Sequence, residues 1–102
     1  MPETKKVKLS GGPEKTATWV WLEKGQLKVE FYDFSELAQR MFGNDIAYTL
    51  TVDDMEKLYS LARQEEEFLI AWLQQKYKSY FEIKNFLEEN GIGFHKEIES
   101  WA

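Results

Sequence analysis

A chain of 102 residues with a formal net charge of −5 is sized for one α+β domain, residues 1–102, around one core, and its lack of cysteine excludes disulfides, thiol chemistry and cysteine-type zinc sites. Thirteen Lys and Arg against eighteen Asp and Glu disfavour nucleic acid as a partner, because that affinity comes largely from neutralising phosphates. No apolar run long enough for a signal peptide or a membrane span follows Met1–Lys6, so the expected location is cytoplasmic and no membrane partner is expected.

The first expected strand is Lys5 to Leu9, ahead of a Ser10-Gly11-Gly12-Pro13 loop. Thr16 to Tyr32 reads as a β-hairpin, TATWVWLE and QLKVEFY joined by Lys24-Gly25, whose glycine can take positive φ. A two-residue loop sets Glu23 against Gln26 and, reading backwards, Leu22 against Leu27, Val20 against Val29 and Thr18 against Phe31. That face is aliphatic. The opposite face then carries Trp21 against Lys28, Trp19 against Glu30 and Ala17 against Tyr32.

Beyond the hairpin, Asp33-Phe34-Ser35-Glu36 opens an expected helix that stops at Gly43. Ile46 to Val52 alternates like a strand packed on one face. Thr51-Val52-Asp53-Asp54 forms a second capping box, leading Met55, Leu58, Tyr59 and Ala62 along one helical face. Glu65, Glu66 and Glu67 interrupt that stripe before the apolar block Phe68 to Leu73, which implies a kink or break with the acids at a new helix N-terminus. Ser79-Tyr80-Phe81-Glu82 heads a third helix, through Ile83, Phe86 and Leu87 to a left-handed stop at Gly91. Phe94 to Ser100 is a further strand, which like Lys5 to Leu9 suits a sheet edge. The expected architecture is a small antiparallel or mixed sheet built around the hairpin at 16–32, with helices packed on its aliphatic face.

Catalytic signals are weak. His95 is the single histidine and has Glu97 as its same-face polar neighbour along the strand, with no serine-centred or metal-binding motif beside it. Asp53/Asp54 and Glu88/Glu89 have local explanations at a helix start and on a polar helix face, and Glu65–Glu67 lack the alternating oxygen ligands and glycine turn of a hard-metal loop. The Ser10–Pro13 loop lacks the spacing of a phosphate-binding loop, although Lys15 lies close by. The chain is therefore not expected to be an enzyme, and no cofactor or metal is expected.

Sixteen aromatic side chains, seven Phe, five Tyr and four Trp, are an unusually large share of the chain, which raises the question whether the core takes them all. Trp19, Trp21 and Tyr32, with Lys28 and Glu30, fall on the hairpin face away from the core, where large aromatics make an exposed patch of the kind that marks contact sites. A covering by the N-terminal strand or by the C-terminal segment with Trp101 would instead bury them. The expected function is a small acidic protein-interaction module, inhibitor-, immunity- or antitoxin-like in size and charge, that docks on another protein or on its own copy as a homodimer. The alternatives are a small-ligand protein or enzyme with an aromatic pocket that uses Glu30, and a single-stranded nucleic-acid binder stacking bases on the same aromatics beside Lys5, Lys6, Lys8 and Lys28.

Overall fold

Lys24 and Gly25 take consecutive positive φ values, 52° and 77°, the combination that lets a two-residue turn follow the right-handed twist of the strands it joins. In this computed structural model, which describes residues 6–11, 16–33 and 45–101, that turn connects β2 (Thr16–Glu23) to β3 (Gln26–Asp33). The register is the expected one at every pair from Glu23↔Gln26 to Ala17↔Tyr32. β1 (Val7–Lys8) pairs with β2, β4 (Asp45–Val52) with β3 and β5 (Phe94–Trp101) with β4, all antiparallel, giving a five-stranded sheet in the order β1-β2-β3-β4-β5. The two strands expected to suit a sheet edge, β1 and β5, are its two edges.

Helices α1 (Met55–Ala62), α2 (Glu66–Lys76) and α3 (Tyr80–Glu89) all lie between β4 and β5 in sequence. They cover the aliphatic face. Leu58 and Ala62 of α1, Leu69 and Leu73 of α2, and Tyr80, Ile83 and Leu87 of α3 join Val20, Leu22, Leu27, Val29, Phe31, Leu50 and Val52 in one buried cluster. Burying side chains of this size stabilises the chain by roughly 1.5–3 kcal/mol each, against the entropy of ordering them. None of the helices among the described residues is long and apolar enough to cross a membrane.

Helix boundaries follow capping chemistry, with two corrections to the sequence pattern. The second box shifts: Asp54, not Thr51, caps α1, its carboxylate accepting from the Lys57 N–H at 3.2 Å. Thr51 cannot serve because β4 runs on through Val52 and commits its backbone to the sheet. At the α3 start Ser79 makes no capping bond, and Glu82 reaches back to the Lys78 N–H at 2.9 Å instead of to Ser79. The acceptor for the first helical N–H, that of Tyr80, is the Thr18 hydroxyl of β2 at 2.9 Å.

The acidic interruption is a true break. Arg63 closes α1 in the left-handed region at φ 56°, and α2 restarts with Glu65 as its N-cap. α3 ends where Gly91 takes φ 64°, with the Ile92 N–H on Leu87 O at 2.9 Å and the Gly91 N–H on Glu88 O at 3.2 Å, the paired bonds of a Schellman stop. Gly11 docks on the α2–α3 connection, its N–H donating to Lys78 O at 2.8 Å. The expected helix from Phe34 to Gly43 lies outside the described residues.

Candidate functional site

Strand alternation puts the five hairpin residues together as expected: Trp21 pairs with Lys28, Trp19 with Glu30, and Tyr32 lies in the next row opposite Ala17. The expected wet aromatic patch is only partly there. Trp21 is 8% exposed, whereas Trp19, Lys28, Glu30 and Tyr32 are half-buried. Lys6 Nζ stands 4.4 Å from the centroid of the Trp21 ring and 3.9 Å from Glu30 Oε1, and the Trp21 indole N–H donates to Glu23 Oε1 at 3.3 Å. Lys28 Nζ donates to Thr51 Oγ1 at 2.9 Å. Intramolecular partners thus occupy much of what this face could offer a ligand. Neither β1 nor β5 folds across it, since both extend the sheet at its edges.

His95 finds a partner the local sequence did not indicate. Its Nδ1 lies 2.9 and 3.1 Å from the two carboxylate oxygens of Asp53, with both side chains half exposed. The Asp53 and Asp54 N–H groups also donate to Gly93 O, so the contact fastens the start of β5 to the β4–α1 turn. Among the described residues no three His, Cys, Asp or Glu side chains converge where a metal ion could sit.

Among the described residues, an exposed aromatic side chain lies on α2. An ordinary surface helix is apolar on one stripe and polar on the rest. α2 departs from this: Leu69 and Leu73 are fully buried against the sheet, yet Phe68 on the other side is 53% exposed. Phe68, Ala71, Trp72 and Gln75, together with Gln64 just before the helix, line an open surface groove of about 220 Å3. One of the lining residues, Trp72, also belongs to an aromatic cluster. The Trp72 ring stands edge-on to Tyr77 at 5.8 Å and to Phe86 at 6.1 Å, with Lys76 Nζ 5.0 Å from its centroid. Burial, and then the charges of Glu82 and Glu89, push the Tyr77 phenol above its ordinary pKa, so it is neutral at physiological pH.

Sequence reading took Phe68 to Leu73 as one apolar block and missed its two faces. The signal was present, because six apolar residues in a row inside a helix must point both ways. Elsewhere, Phe81, 45% exposed, meets Phe31 at 4.9 Å, and Ile98, 65% exposed, pairs with Tyr48 across the strands. Compared with protein-family models, curated proteins and solved structures, the chain matches none of them.

Proposed function

We propose that this chain is a protein-interaction module whose docking surface is the outward face of α2. The supporting observation is the pairing of a 53%-exposed Phe68 with the Trp72-floored groove on a helix whose other side is already committed to the core. A helix gains nothing in its own fold from a second apolar face, and a solvent-exposed aromatic beside an open groove is an arrangement that yields binding energy when a partner removes it from water. The hairpin residues Trp19, Trp21, Tyr32, Lys28 and Glu30 rank behind it as a contact surface, because Trp21 is already covered and Lys28 is bonded to Thr51.

A photoreactive phenylalanine analogue tests the reading when placed at Phe68 and, as a control, at Lys24 in the exposed hairpin turn. Irradiation in cells that express the chain is expected to give a covalent adduct from position 68 and none from position 24. No adduct from position 68 contradicts it.

A further inference from the structure

The two edges of the sheet are unlike. β1 is two residues long, the short kind of edge that resists further pairing, whereas β5 runs for eight residues with no proline and no bulge in its register. In an antiparallel ladder, successive residues turn their backbone N–H and C=O alternately to one neighbour and to the other. The Asp53 N–H donates to Gly93 O at 2.8 Å, and the register continues from there through Thr51↔His95 and Thr49↔Glu97. His95 and Glu97 therefore direct their backbone groups to β4, and Phe94, Lys96 and Ile98 direct theirs outward. Among the described residues no strand pairs on that side. His95, Lys96 and Glu97 are exposed and Ile98 is 65% exposed, so the strip stands open to water.

The charges along this strip refuse a second copy of the same strand. A two-fold axis normal to the sheet is the symmetry that joins two β5 edges antiparallel into one continuous sheet, and it sets residues of the same face opposite each other. Centred on residue 96 it puts Lys96 against Lys96, and on residue 97 Glu97 against Glu97. Centred on residue 98 it puts Glu97 against Glu99 twice, and on residue 99 Glu99 against Glu99. Like charges directly opposite across strands are destabilising, and every register through the middle of β5 has them.

The same charges suit a different strand. Lys96 and Ile98 lie opposite Leu50 and Tyr48 on the face that carries the helices, and Glu97 lies opposite Thr49 on the other face. Among the described residues neither Lys96 nor Glu97 makes an ion pair, so both charges are open to a partner. The complementary antiparallel strand puts an apolar side chain against Ile98, a base against Glu97 and an acid against Lys96. We propose that the β5 edge is a second interaction surface, which takes as an added antiparallel strand an extended segment of another polypeptide reading apolar, basic, acidic opposite Ile98, Glu97 and Lys96. The main-chain bonds from Lys96 and Ile98 hold the segment, and the two charges select it. This surface is separate from the α2 groove and stands or falls independently of it.

The test uses capped synthetic peptides added to the full 15N-labelled chain and followed by amide NMR. The peptide TTVKETT carries the complementary order, and TTVEKTT has its two charges exchanged. TTVKETT is expected to shift the amides of Phe94 to Ile98, with TTVEKTT weaker by about fivefold or more. In the exposed double variant Lys96→Glu/Glu97→Lys the preference between the peptides is expected to reverse. N-methylation of the valine and glutamate of TTVKETT, the residues whose N–H groups face β5, is expected to abolish binding, and Phe68→Ala is expected to leave it unchanged. No shift at β5 up to millimolar peptide overturns the inference, as do equal affinities for the two peptides or full binding by the methylated one. Shifts at Phe94 to Ile98 on concentrating the chain alone would make a second copy the occupant and overturn it as well.

Discussion

The Thr18 hydroxyl on β2 accepts the backbone N–H of Tyr80, the first residue of α3, at 2.9 Å across 62 positions of sequence. Thr18 is 1% exposed, so this bond is made out of water, and it fixes where α3 begins relative to the hairpin. Thr18→Val keeps the shape and removes the acceptor, leaving a buried N–H unsatisfied. The expected cost is about 1–3 kcal/mol in urea unfolding. Ser79→Ala, at the N-cap itself, is expected to cost less than about 0.5 kcal/mol, because that side chain makes no capping bond. The reverse order of effects would show that α3 is capped locally.

Gly11 is closed to side chains for a steric reason. A Cβ there would lie 2.7 Å from Lys78 Cβ and 3.3 Å from Lys78 O, while the Gly11 N–H is bonded to that same carbonyl. Gly11→Ala is expected to destabilise by roughly 1–3 kcal/mol through overpacking, read from the midpoint of thermal or urea unfolding. An unchanged midpoint would mean that the loop does not dock on the α2–α3 connection.

Adjacent residues on α2 should respond oppositely. Leu69 is fully buried and Phe68 is 53% exposed. Leu69→Ala is expected to cost about 2–5 kcal/mol, the loss of buried methylenes plus the cavity they leave. In dilute solution Phe68→Ala is expected to stay within about 0.5 kcal/mol of the wild type, although it is much the larger truncation. Comparable losses at both positions would place Phe68 in the core and remove the outward face of α2.

Tyr80 sets an alkaline limit on stability. Burial, then the neighbouring Tyr48 and Glu88, push its phenol from 10.0 to about 12. The folded state holds this proton more tightly than the unfolded chain, so between about pH 10 and 12 the unfolded state binds fewer protons and stability falls as pH rises. Below pH 10 both states are protonated and this contribution is constant. Tyr80→Phe is expected to flatten the fall between pH 10 and 12, measured as the urea midpoint against pH. An equally steep decline in the variant would assign it to other groups.

Local chemistry made much of the fold legible. Lys24-Gly25 fixed a two-residue turn and through it the register of sixteen strand residues; Glu65–Glu67 marked the helix break, and Gly91 the Schellman stop. Each is a signal carried by neighbours in sequence. The misses are contacts between distant segments: Thr18 capping α3, Asp53 rather than Glu97 meeting His95, and Lys6 lying over Trp21. Alternation places Trp19 and Trp21 on the same face of β2 but cannot say that one ends half-buried and the other 8% exposed, since that depends on which side chains reach across from β1. The α2 groove was missed for a different reason. A continuous apolar block has no period to assign to a face, and only the position of the sheet tells Leu69 from Phe68.

The most direct measurement is in-cell photo-crosslinking with the photoreactive residue placed in turn at Phe68 of α2 and at Tyr32 of the hairpin. A covalent adduct is expected from position 68 and none from position 32. An adduct from position 32 alone, or from neither position, would contradict a docking surface on α2.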